Sequence, residues 1–116
     1  MVLLFYCFAS SLNAQDQLQT QFEYANNLFE SKQYFDAITE YKRLLFFDSQ
    51  RRYAFQANYR IGQSYKAGAK FDEAIRFFTL ADLNSDNNAQ KYSAKIEIIK
   101  SNILKWFSSR QIILRQ

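Results

Sequence analysis

Catalysis needs particular side chains, and this 116-residue chain withholds most of them: it has no histidine and a single cysteine, Cys7. It cannot assemble a Ser-His or Cys-His nucleophile, a nitrogen-sulfur zinc site or an intrachain disulfide. Its carboxylates are scattered, and neighbours such as Asp72 and Glu73 point in different directions on a helix, which suits solvation better than shared acid-base work. The sequence therefore predicts no catalytic residue, no metal site and no cofactor. Aromatic and amide groups at helical spacing remain. Phe22, Asn26 and Phe29 follow one another by four and three, so they share one helix face, and Tyr59, Gln63 and Lys66 repeat that spacing further along. Rings and amides on one face can take an apolar side chain and the backbone of an extended peptide.

The elements that must carry these triplets come from an internal repeat. Tyr34-Phe35-Asp36-Ala37-Ile38 returns as Phe71-Asp72-Glu73-Ala74-Ile75, and the offset of 37 also relates Tyr41 to Phe78, Ala25 to Gly62 and each triplet to the other. A constant offset of this size is the mark of a repeated supersecondary unit. Proline is absent, glycine is confined to Gly62 and Gly68, and apolar residues make up 48% of the chain, so helices are favoured and one modest core is available.

Helical spacing starts at Asp16, where Asp16 and Gln19 fit an N-cap and its capping-box partner, placing the first helix from about Gln17 to Ser31 with Tyr24, Ala25 and Leu28 inward. A second helix is predicted over 34–47, with Ala37, Ile38, Tyr41, Leu44 and Leu45 inward. Asp48-Ser49-Gln50 makes a turn in which Ser49 caps a third helix over about 51–67, and Gly68 is placed to end that helix in a left-handed conformation. A fourth helix covers about 71–83. Beyond the polar stretch NSDNN, Tyr92, Ile96, Ile99, Ile103 and Phe107 form one face of a fifth helix, over about 89–107, expected to cap the core against the fourth.

Ile61-Gly62, Tyr65, Ala74 and Phe78, with Tyr24-Ala25, Leu28, Ala37 and Tyr41 before them, resemble the tetratricopeptide repeat, a helix-turn-helix unit with the pattern W-x2-L-G-x2-Y, A-x3-F, P. The resemblance covers repeats at about 18–51 and 55–88. It implies an all-α solenoid of two repeats plus the C-terminal helix, in which Ala25, Ala37, Gly62 and Ala74 are the small residues that let paired helices approach, Gly62 against Ala74. Gln21 and Asn58 stand where the family often has tryptophan, Ser49 and Asp86 where it has proline, and Asp82 where an apolar residue is usual. The repeat spacing exceeds the usual length of about 34, leaving extra residues around Gln50–Tyr53. Lengthened repeats of this kind resemble bacterial envelope proteins such as the BamD type of outer-membrane assembly lipoprotein and the Tol-associated periplasmic coordinator.

The resemblance further implies that Phe22, Asn26, Phe29, Tyr59, Gln63 and Lys66 line a concave groove for a protein or peptide. Chaperone-binding members clamp a terminal carboxylate with lysine and asparagine; Asn26 fits that clamp, while Phe22 replaces a lysine. The alternative is that Phe22 and Phe29 pack on neighbouring first helices or are covered by the signal segment or the C-terminal tail.

The chain's beginning reads as an export signal. Val2 to Ala9 is an apolar run too short for the roughly 20 residues of a bilayer span, and Ala14 is a small residue suited to cleavage before Gln15. Residues 1–14 are thus expected to be removed, leaving a domain over 15–116 in the periplasm or outside the cell. No basic residue precedes the run, and the bulk of Tyr6 disfavours a lipoprotein signal on Cys7. The net charge of +4 is uneven. Residues 15–50 carry three basic and six acidic groups, residues 51–76 six and two, residues 77–116 six and three. No nucleic-acid-binding module is present. The expected function is a non-catalytic protein-binding scaffold of the bacterial envelope. The runner-up is a peripheral membrane protein that lies on anionic lipid through Lys91, Lys95, Lys100, Lys105, Arg110 and Arg115 beside isoleucines and Trp106. The apolar tail RQIILRQ further implies self-association or a chain shorter than its full gene product.

Overall fold

The computed structural model describes the backbone of residues 2–115 and the side chains of residues 13–111. Among the described residues it is all-α, with α1 (Val2–Glu30), α2 (Tyr34–Phe47), α3 (Ala54–Ala67), α4 (Phe71–Leu83) and α5 (Asn88–Arg115). Each helix packs on the next in sequence, and α3 also touches α1 and α5. The result is a stack of two helix hairpins, α1–α2 and α3–α4, closed by α5.

The repeat is visible atom by atom in the hairpin turns. Lys32 and Ala69 both adopt positive φ, 61° and 59°. The Gln33 N–H donates to Leu28 O and the Lys70 N–H to Tyr65 O, each at 2.9 Å. These are paired Schellman closures, which satisfy carbonyls that a helix end leaves open. Gly68 was expected to supply the left-handed residue, but its φ is −88°; the reversal falls one residue later, on Ala69.

Small residues on facing helices let the stack close. Ala25, Ala37, Ala57, Ala74, Ala81 and Ala94 are fully buried, and around them lie the larger Tyr41, Leu44, Ile61 and Phe78. Full burial of such side chains stabilises by about 1.5–3 kcal/mol each. The closest approach is at Gly62, where an added Cβ would sit 2.8 Å from Cδ1 and Cε1 of Phe78. Ala74 was the expected partner; the Phe78 ring fills that space instead. Tyr24, also expected inward, is 53% exposed. It occupies in α1 the register position of Ile61, which packs toward the preceding hairpin, and no described helix precedes α1.

Local chemistry moved the predicted starts of α3 and α1. Asp48, not Ser49, starts α3: its buried carboxylate accepts the N–H groups of Arg52 (3.1 Å) and Tyr53 (2.8 Å), so the helix begins at Ala54. Asp16 is not an N-cap, because α1 already runs through it and its carbonyl accepts the Thr20 hydroxyl at 2.9 Å. Gln19 accordingly donates to Glu23 at 3.2 Å rather than closing a capping box. Asp82, standing where an apolar residue is usual, lies within α4, with Lys91 Nζ 3.1 Å from its Oδ1.

The largest correction concerns α5. Its packed side is Ala94, Ile98 and Ser101 with Glu97, whereas Tyr92, Ile96, Ile99, Ile103 and Phe107 are all at least half exposed. Helical periodicity identified the stripe correctly and assigned it to the wrong side. The helix is also longer than expected; residues 102–111 are each exposed, and of them Lys105 reaches back to pair with Asp72 of α4.

Candidate functional site

Because α1 and α3 are equivalent helices of successive hairpins, they lie side by side and present equivalent faces to the same side of the stack. Phe22 and Asn26 from α1 meet Phe55, Tyr59, Arg60 and Gln63 from α3 around a pocket of about 280 Å³, with Gln56 in its wall. An adjoining pocket of about 250 Å³ is lined by Phe29, Tyr34, Gln63, Lys66, Phe71 and Leu104. All six predicted groove residues line one of these pockets, and Gln63 belongs to both.

The rings hold one another in stacked, tilted and edge-on pairs. Phe22 lies 4.7 Å from Tyr53, Phe55 stacks on Tyr59 at 5.4 Å, and Tyr59 meets Phe78 edge-on at 5.5 Å. In the second pocket Phe29 meets Tyr34 edge-on at 5.6 Å. Half-buried rings anchored in this way serve both uses weighed above: one side packs on the core, the other lines the pocket.

The polar groups are partly committed. Tyr41, beneath the groove, donates its hydroxyl to Asn26 Oδ1. Burial pushes the Tyr41 phenol up to about 12, with smaller opposed contributions from Arg60, which lowers it, and Glu30, which raises it. Burial also raises Tyr59, helped by Glu97 and opposed by Arg60, so its hydroxyl stays protonated. The Lys66 ammonium is held 2.7 Å from Glu97 Oε2, which ties α3 to α5. Lys66 therefore lines the groove without presenting a free charge. Gln56 Oε1 is buried with no hydrogen-bond donor among the described residues, an acceptor of the kind usually satisfied in a folded protein.

Sequence reasoning missed Arg60, which stands at the centre of the site. Its guanidinium lies 4.4 Å from the Phe29 ring centre, its Nη2 is 3.8 Å from Glu30 Oε1, and its Nη1 donates to Gln63 Oε1 at 3.3 Å. It bridges α1 to α3 where the two pockets meet. The signal was present, since Arg60 follows Tyr59 and precedes the Gln63 of the triplet by three, but a charged residue between apolar positions reads as solvated. Chemically, the arrangement can seat an apolar side chain among the rings and place one cation, Arg60, over the junction. Comparison of the chain with protein-family models, with curated proteins and with solved structures finds no match.

Proposed function

We propose that the protein is a non-catalytic binding scaffold of the tetratricopeptide type, exported to the bacterial envelope, which holds an extended peptide or partner segment along the groove between α1 and α3. The observation that carries the reading is the convergence of Phe22, Asn26, Tyr59 and Gln63, from two separate helices, on one ring-lined pocket. An apolar side chain of the peptide enters between Phe22 and Phe55, and its backbone is held by the amides.

Peptides selected by display against the immobilised full chain test the binding mode. They are expected to share an aromatic or aliphatic anchor, and Phe55→Ala should weaken them at least tenfold with little change in melting. Phe46→Ala, on an exposed ring of α2, is the control. Equal binding to wild type and Phe55→Ala would remove the groove from consideration. Export is tested separately by the mass of the protein recovered from cells. A chain beginning at Gln15 supports it; one retaining Met1 overturns it. The side chains of residues 1–12, which include the apolar run of the export reading, lie outside the described residues.

A further inference from the structure

The outer face of α5, opposite the side that packs on the stack, is apolar and exposed. Tyr92, Ile96, Ile99, Ile103 and Trp106 follow one another by four and three, and each is half or more exposed. On a helix this spacing makes an apolar seam of the kind two paired helices share, which Phe107 widens beside Trp106.

The register of the stack indicates the geometry of the occupant. At the repeat offset, Ala94, Ile98 and Ser101 of α5 match Ala57, Ile61 and Ser64 of α3, and both sets face the preceding hairpin. Ile96 and Ile99 correspondingly match Tyr59 and Gly62, the side of α3 that receives α4 through Phe78. The seam is thus where one more helix would continue the stack. Ile99 in place of Gly62 keeps that helix further away than α4 lies from α3, so packing there occurs through side chains alone.

Charge selects the kind of helix. Lys95 and Lys100 flank the seam on its two sides, and the single acid of α5, Glu97, points to the stack, where it holds Lys66 at 2.7 Å and reaches Lys100 more loosely at 3.7 Å. Two copies of α5 would set lysine against lysine across the seam, with no acid on either flank of the facing helix. The outer side of α1 offers no apolar seam either, since at the matching positions it carries Thr20, Tyr24 and Asn27, all exposed. The geometry points to an acidic amphipathic helix of a partner protein, with aliphatic residues at four-three spacing and glutamate or aspartate on both flanks, docked along the outer face of α5.

The test uses the full chain and two synthetic helical peptides with the same leucine seam, one flanked by glutamate and one by lysine, together with vesicles of phosphatidylglycerol. The glutamate peptide is expected to bind at least tenfold more tightly than the lysine peptide. Ile99→Asn should abolish that binding without lowering the melting temperature, and Lys95→Glu with Lys100→Glu should invert the preference. Equal binding of the two peptides, binding to neither, or retention of peptide binding by Ile99→Asn overturns the proposal. Binding to vesicles alone assigns the seam to lipid and also overturns it. So does a wild-type dimer in sedimentation that Ile99→Asn dissolves, which would make a second copy the occupant.

Discussion

Helices α3 and α5 stand at equivalent positions in the stack and share the same inner residues, Ala57 with Ala94, Ile61 with Ile98 and Ser64 with Ser101. On the other side they diverge. At α3 a glycine admits the ring of Phe78; at α5 an isoleucine faces outward. An apolar stripe is therefore core or surface according to whether another described helix covers it, a property of the neighbour rather than of the helix that carries it. This explains why the strongest periodicity in the last third of the chain was assigned to the wrong side.

Breaking the comparison outright takes one substitution at each of two matched positions. Gly62→Leu should cost about 3 kcal/mol, because any Cβ there meets the Phe78 ring and overpacking of a closed contact is penalised on that scale. Ile99→Asn at the matched position of α5 should change stability by less than about 0.5 kcal/mol, as surface substitutions generally do. Chemical denaturation of both variants checks the pair; equal losses would mean that the two outer faces do not differ.

The hairpins differ in the same way at Tyr41 and Phe78, also matched in register. Below pH 10 the Tyr41 phenol is protonated whether the chain is folded or not. Above it the unfolded chain releases the proton while the folded chain keeps it until about pH 12. The folded state then binds more protons, so stability is fully present below pH 10 and falls as pH rises through that window. The loss is on the order of 2 kcal/mol. Tyr41→Phe, which makes the first hairpin resemble the second, should flatten this slope while costing about 1 kcal/mol at neutral pH for the hydroxyl bond to Asn26. Denaturation midpoints measured from pH 8 to pH 12 decide it.

The starts of the two helices sharpen the contrast further. Asp48 is buried and receives two backbone N–H groups before α3, whereas at α5 the exposed Asn87 receives only that of Gln90, at 2.9 Å. Asp48→Ala should therefore cost about 2 kcal/mol and Asn87→Ala about 1 kcal/mol. Both are read as shifts in thermal melting. The smallest effects belong to the second hairpin turn, where Ala69→Gly should gain about 0.5 kcal/mol by relieving its positive φ. Gly68→Ala should gain a similar amount, since an added Cβ there comes no closer than 3.6 Å to any neighbour.

Much of the fold was legible in the sequence wherever two copies could be compared. The bounds of α2 and α4 agree with those expected from the repeat, and the groove triplets, found by adding the offset to one helix, converge on adjoining pockets. Where only one copy exists, the reading failed. Asp48 was passed over for Ser49 because the loop before α3 has no second example to show which oxygen reaches the open N–H groups. Arg60 was missed because its role depends on Phe29 and Glu30 of another helix, a proximity no local pattern records. The inner side of α5 was there to be read in Ala94 and Ser101, yet small and polar residues make a weaker signal than five large apolar ones.

The overhang of α5 also bears on how that helix forms. A segment of the length of residues 102–111 would scarcely hold helical structure alone in water, because the first turn fixes several residues for one hydrogen bond. Here that nucleus already exists in the packed turns around Ala94 and Ser101, so the exposed part grows from a template and frays from its far end. Its amide hydrogens should exchange in a gradient, slowest beside Ser101 and fastest toward Gln111, and an occupant of the seam would flatten that gradient.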